Sequence, residues 1–218
     1  MQSFYRPLLF CAAALVWLAS VSPSSTSAAT PQPAAPTAAS EKVVFAGGCF
    51  WGIEAVFESL KGVTSAVSGY SGGSAANAHY EIVSSGTTGH AESVEVTFNP
   101  SVITYQQLLE VFFLVAHDPT ELNRQGPDEG SQYRSVVFYT SDAQKRQTDA
   151  YIAQLTQHKV FDAPIVTQVV PLVAFYPAEA YHQHFAQRNP YYPYIVINDD
   201  PKLAHLHQQF PDLVKGKS

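Results

Sequence analysis

Cys49 follows two glycines, Gly47 and Gly48, and opens a run with helical spacing. A cysteine at a helix start lies near partial positive charge and free N–H groups. Both favour the thiolate, which predicts a lowered pKa and a sulfur that attacks sulfur or carbonyl centres. The two glycines leave the backbone open to close approach by another molecule. A small cysteine packed inertly in a core fits the same position, since free cysteine is usually buried. Residue type and spacing leave both readings open. Phe50 and Trp51 follow directly, and two rings beside a nucleophile form a wall suited to thioether and methyl groups, or else ordinary core.

Glu92 is the second candidate. In the run Glu92–Phe98, Glu92, Val94, Val96 and Phe98 alternate with Ser93, Glu95 and Thr97. If the strand begins at Glu92, that carboxyl ends the buried row, and burial raises its pKa. A carboxylic acid that stays protonated near neutral pH can act as a general acid. If the strand begins one residue later, Glu92 is in solvent. Tyr80, Tyr133 and Asp128 fall in loop or strand-edge segments, where a tyrosine hydroxyl can donate to a developing oxyanion. With 12 tyrosines in the chain, composition singles out none. The histidines fail a metal test. His182 and His184 are two apart on an expected helix and face different sides, and His205 and His207 repeat that spacing. There is no H-E-x-x-H and no cysteine pair, so no metal is expected and these histidines read as solvated.

The elements that must position these groups follow from periodicity. Lys42–Ala46 reads as a strand and Cys49–Leu60 as a helix with Phe50, Ile53, Phe57 and Leu60 on one face. Val63–Ser68 is a strand leading into the Gly-rich stretch 69–73. Tyr80–Val83 is short and extended, and Glu92–Phe98 is a strand. Tyr105–Ala116 is a helix with Thr104 as N-cap. A polar loop holds 117–132. Ser135–Thr140 is a strand, and Ser141 or Asp142 caps the next helix. Thr167–Phe175 is a strand interrupted by Pro171, which argues for an edge. Ala178–Gln187 is a helix, and the tail after Asn189 has little pattern. The sum is one α+β domain, a mixed sheet packed with helices in a two-layer, ferredoxin-like plait.

The chain of 218 residues is long enough for a substantial core, and 46% hydrophobic against 14% charged residues is a globular composition. A formal charge of −6 gives no support to a nucleic-acid partner. The beginning reads as an export signal: Arg6 is the only charge before Glu41, an apolar run spans Leu8 to Val21, and Ser27, Ala28 and Ala29 suit cleavage before Thr30. Residues 1–29 are thus an expected signal peptide, with an uncleaved anchor as the alternative. Residues 30–40, rich in Ala, Pro, Ser and Thr, are an expected flexible linker, and 41–218 the domain. Export predicts a periplasmic or similar location. Cys11 lies in the apolar run behind Phe10, which disfavours lipidation. Cys49 is then the one thiol of the mature chain, without a disulfide partner.

Several motifs resemble those of the A-type peptide methionine sulfoxide reductases. They are Gly48-Cys49-Phe50-Trp51-Gly52, Gly69-Tyr70-Ser71-Gly72-Gly73, 85–92, His117-Asp118-Pro119-Thr120, Asn123–Gly126 and 128–135. They stand in family order across about Lys42 to Tyr194 and are highly specific together. The resemblance implies that Cys49 attacks the sulfoxide sulfur and Glu92 protonates the departing oxygen. It also implies that Tyr80 and Tyr133 donate to that oxygen, Asp128 supports the pocket, and Phe50 and Trp51 hold the substrate methyl. The implied products are methionine and a sulfenic acid on Cys49, from the S epimer, free or in proteins, with no cofactor.

Three departures stand out. Asn189–Tyr194 carries no resolving cysteine. Asn77-Ala78-His79 precedes Tyr80 where Pro and Thr are usual. Ser84 replaces a frequent non-catalytic cysteine. The first excludes an internal disulfide relay and implies an external reductant, a thioredoxin-like protein or a small thiol. Two other classes compete: a thiol peroxidase, which needs no acid at Glu92, and an inactive module that grips oxidised methionine, which needs no nucleophile.

Overall fold

The computed structural model describes residues 40–216; the expected signal peptide and all but the last residue of the linker lie outside them. In chain order the elements are β1 (Glu41–Ala46), α1 (Phe50–Glu58), β2 (Val63–Ser71), α2 (Tyr80–Val83), β3 (Ala91–Phe98) and α3 (Tyr105–Val111). There follow the two-residue strands β4 (Arg124–Gln125) and β5 (Asp128–Glu129), then β6 (Val136–Tyr139) and α4 (Asp142–Gln157). The last are β7 (Gln168–Pro171), β8 (Phe175–Pro177), α5 (Phe185–Arg188) and α6 (Asp200–Gln209). Six strands form one mixed sheet in the order β7-β6-β1-β3-β2-β8; only β6 and β7 pair in parallel, the other pairs being antiparallel. This is the α+β arrangement expected from the sequence.

Local chemistry sets the helix starts. Thr104 and Gln107 form a reciprocal capping box before α3, and the Ser141 hydroxyl accepts from Gln144 N–H at the start of α4. α3 continues into a π-helical turn over Phe112–Ala116. The main core lies between the sheet and the helices, where Phe45 stacks on Phe57 and on Phe112 with centroids 4.9 and 4.6 Å apart. Among the described residues it is built mainly from Phe, Val, Leu, Ile and Tyr and contains no methionine; the one methionine of the chain is Met1. The other face of the sheet is covered as well. Val44, Ala46, Ala91, Val136 and Phe138 pack against Val170, Leu172 and Phe175, so Ser93, expected to face outward, is buried.

Four expectations are corrected. The Thr167–Phe175 strand is two strands, β7 and β8, on opposite edges of the sheet. Pro171 sits on the free edge as its lack of an N–H requires: Gln168 and Leu172 donate to the carbonyls of Ser135 and Tyr139, so the N–H that proline lacks would have faced away from the sheet. β2 does not stop at Ser68 but runs through Gly69 to Ser71. A Cβ at Gly69 would lie 2.4 Å from the Tyr176 carbonyl, so glycine lets β8 approach. Tyr80–Val83 is helical, anchored where the Glu179 carboxylate accepts from Tyr80 N–H at 3.0 Å and from the Tyr70 hydroxyl at 2.9 Å. The Ala178–Gln187 helix shrinks to α5. The Gln183 amide is used on the N–H and carbonyl of Ser68, and His184 takes the left-handed conformation at φ 54°, which breaks the helix. Beyond Asn189 the unpatterned tail forms a π-helical turn, Ile195–Asp199, and then α6, both packed on α1.

Candidate active site

Cys49 is the N-cap of α1, at the end of the Gly-Gly turn after β1. The glycines are needed for the chain's own packing. A Cβ on Gly47 would lie 2.7 Å from the His117 ring, and one on Gly48, at φ 99°, would lie 2.7 Å from the Gln125 side chain. His117 is held neutral by burial, at about 4, between the Phe112 carbonyl and the Ser135 hydroxyl. It is a fixed wall under the turn.

Glu92 begins the buried row of β3 opposite Tyr70 of β2 and is 2% exposed. Of the two readings of its sequence position, the buried one holds. Its Oε2 accepts from Phe50 N–H at 3.1 Å, so the first free N–H of α1 goes to Glu92. Burial lifts the Glu92 carboxyl to about 8, with the Phe50 N–H opposing and Asp128 adding. At neutral pH this acid keeps its proton.

The expected low pKa of Cys49 is overturned. Burial pushes the thiol well above its ordinary range; Glu92, Asp199 and Asp128 add to this, and only the Trp51 N–H opposes. Desolvation outweighs the helix start because the sulfur is shielded from water and set among carboxyl groups. The residue is 8% exposed, and it is the free cysteine of the described residues.

Cys49, Phe50, Trp51, Tyr80, Glu92, Asp128 and Tyr133 line one cavity of about 220 Å³, so all seven residues singled out in the sequence meet there. Burial raises the phenols of Tyr80 and Tyr133, with Glu92 adding, so both are donors at neutral pH. Tyr133 follows Gly130, whose φ of 134° turns the chain into the cavity wall. Asp128 stands on the β4–β5 hairpin and is held by the Tyr194 hydroxyl.

Sequence reasoning missed four contributors. Tyr192 and Tyr194 line the same cavity, each edge-on to Trp51. Their segment had been read only for its missing cysteine; three tyrosines around Pro193 were the available signal. His182 is buried, not solvated: its Nδ1 accepts from Trp51 Nε1 at 3.1 Å, and its ring packs against Tyr80 at 4.3 Å. Burial lowers its pKa, so it stays a neutral acceptor. Asp199, fully buried, pairs with Lys202 at 3.2 Å beside Gly52. His205 and His207 are exposed as expected. A second cavity, of about 320 Å³, is also bounded by Cys49 and Tyr194, with Asp118, Glu121, Gln125 and Lys202 around it.

Acyl transfer at cysteine requires a base that takes the thiol proton. Here the carboxyl with the strongest hold on the thiol keeps a proton of its own, which suits a leaving oxygen. The class defined by this fold and site is a thiol oxidoreductase. The family model described as peptide methionine sulfoxide reductase matches residues 41–213. The chain is 57% identical over 178 residues to peptide methionine sulfoxide reductase MsrA 2 of Mesorhizobium japonicum, covering 82% of this chain and 91% of that one. It is 53% identical over 178 residues to the protein of the same name from Synechocystis, covering 82% and 83%. Among solved structures it resembles reduced Mxr1 from Saccharomyces cerevisiae, with a TM-score of 0.67, 34% identity and coverage of 72% and 89%. It also resembles methionine sulfoxide reductase A of Corynebacterium diphtheriae, with a TM-score of 0.62, 32% identity and coverage of 75% and 80%. The chain belongs to the peptide methionine sulfoxide reductase family.

Proposed function

We propose that this chain reduces the S epimer of methionine sulfoxide, free and within proteins, with Cys49 as nucleophile and Glu92 as acid. The reading is supported above all by the convergence of Cys49, protonated Glu92 and two phenol donors on one small, aromatic-walled cavity. Phe50 and Trp51 receive the substrate methyl. Tyr80 and Tyr133 donate to the sulfoxide oxygen. The Cys49 sulfur attacks the sulfoxide sulfur while Glu92 gives its proton to the oxygen, and the thiol proton replaces it on the carboxylate. The sulfur–oxygen bond of the substrate and the transient bond between the two sulfurs then break, methionine leaves, and the hydroxyl passes to Cys49. Methionine sulfur gains two electrons and Cys49 loses two, becoming a sulfenic acid. An external thiol then attacks that sulfenic acid, releasing water and leaving a mixed disulfide. A second thiol frees Cys49 and carries away the disulfide. Without another cysteine in the mature chain, both electrons come from outside, from a small thiol or a thioredoxin-like protein.

The test is turnover of separated S and R epimers with dithiothreitol, wild type beside Cys49→Ser. Turnover of the S epimer alone, abolished in Cys49→Ser, is expected. No turnover of either epimer would sink the reductase and favour a module that only grips oxidised methionine.

Export is part of the proposal, supported by Arg6, the apolar run Leu8–Val21 and the small residues 27–29. Protein recovered from the periplasm is expected to begin near Thr30 on N-terminal sequencing. A start at Met1 in the membrane fraction would replace cleavage with an uncleaved anchor.

A further inference from the structure

Glu54 and Glu58 lie on α1 one and two turns beyond Phe50, toward the C-terminal end of the helix, and His184 meets them from the turn before α5. The Glu54 side chain is 1% exposed. Its Oε2 is satisfied by the Ser68 hydroxyl at 3.1 Å and by the His184 N–H at 3.0 Å. Its Oε1 has no hydrogen-bond partner and lies 4.0 Å from His184 Nδ1. Glu58 repeats the pattern: one oxygen meets His184 Nδ1, and the other, Oε2, is buried without a partner. Two acidic side chains therefore turn toward each other in a poorly hydrated place and leave an oxygen each unmatched. Such an arrangement is costly unless a positive group completes it. The neighbouring ammonium does not do so, because Lys215 Nζ is directed to the carbonyls of Glu58 and Val63.

We infer that Glu54, Glu58 and His184 form a site for a first-row divalent cation, zinc foremost. One donor atom from each residue lies within 4.8 Å of the other two. A modest closure brings them to the roughly 2.0–2.2 Å metal–ligand distances of zinc bound by carboxylate and imidazole. Two carboxylates and one imidazole suit zinc or manganese rather than a soft thiophilic ion. An adjoining cavity of about 230 Å³, edged by Glu58, His184, Gln187 and Lys215, has room for water as a fourth ligand. The ion would take the place of the hydrogen bond between Glu58 and His184. It would also staple α1 to the turn whose His182 holds the Trp51 indole, so its role is structural and remote from the chemistry. Spacing along the chain argued against a metal because it weighed histidines in pairs. The structure instead assembles one histidine with two glutamates about 130 residues away.

The experiment is calorimetric titration of the full chain with zinc chloride in a Cys11→Ser, Cys49→Ser background, which removes both thiols as competing ligands. About one zinc per chain is expected, with a Tm rise of several degrees. At least a tenfold loss of affinity is expected in His184→Gln and in Glu58→Gln, whose metal-free Tm and circular dichroism serve as the folding control. In the chain with Cys49 intact, cobalt bound at this site is expected to give visible d–d bands without a sulfur charge-transfer band. Absence of saturable zinc binding would overturn the proposal, as would affinity unchanged in both variants or a cobalt spectrum dominated by sulfur.

Discussion

Glu92→Gln is expected to reduce methionine sulfoxide about 10²- to 10⁴-fold more slowly than wild type, the range typical of a lost general acid. The glutamine oxygen can still accept from Phe50 N–H, so the geometry is kept and only the proton is lost. Alkylation of Cys49 and its reaction with peroxide are expected to persist, since neither needs an acid at that position. This separates a sulfoxide reductase from a thiol peroxidase. In the wild type, the rate should fall as pH rises through about 8, where Glu92 gives up its proton, and the variant should lack that limb. Stability also falls as pH rises, over a lower window. The folded-state pKa lies above the ordinary value of 4.5, so below 4.5 both folded and unfolded chains hold the proton and nothing is lost. As pH rises toward 8 the unfolded chain sheds its proton first, and folding loses on the order of 4 kcal/mol. Glu92→Gln therefore should melt above wild type at pH 9, and the gap should close toward pH 5. Sulfoxide turnover within threefold of wild type would remove Glu92 from the mechanism.

Gly52→Ala is expected to destabilise the chain by about 3 kcal/mol, more than a methyl group usually costs in a helix. Alanine is otherwise the better helix former. A Cβ at this position would lie 2.0 Å from Asp199 Oδ1 and 2.9 Å from Lys202 Nζ. The methyl group cannot enter without dislodging a buried ion pair, and with it the segment that carries Tyr194 into the reactive cavity. Thermal melts should show the loss, and S-epimer turnover should fall at temperatures where the variant is folded. Adding Asp199→Ala should restore part of both, a coupling that independent sites would not give. A Gly52→Ala melt within a degree or two of wild type would mean that the C-terminal helix does not seat on α1 as described.

What could be read in advance depended on the range of the interactions. The alternation of Val94, Val96 and Phe98 is local, and it carried Glu92 to the buried face. The Thr104 and Ser141 caps are local too. His182 was misread because its burial comes from Trp51, 131 residues away, which no periodicity within 178–187 reports. The same segment failed as a helix because Gln183 makes a sheet-like pair of bonds with Ser68. The Cys49 pKa was misjudged because the helix start is visible in sequence, while the enclosing carboxyl groups come from β3, the β5 hairpin and the C-terminal π-helical turn. Tyr194 and Asp199 lie in a tail whose helix draws its stability from docking on α1 rather than from its own pattern.

Among the described residues the core holds no thioether, and the chain's one methionine is its first residue. Methionine oxidation turns an apolar side chain polar and loosens the packing around it. A repair enzyme with methionine in its interior would be a casualty of the stress it answers and would need active copies to restore damaged ones. Here Phe, Val, Leu and Ile do that packing work. Among the described residues the one sulfur is that of Cys49, whose first oxidised form, the sulfenic acid, is also the intermediate of the proposed reaction. An oxidant that strikes the domain there leaves a state from which the next thiol returns the enzyme to service.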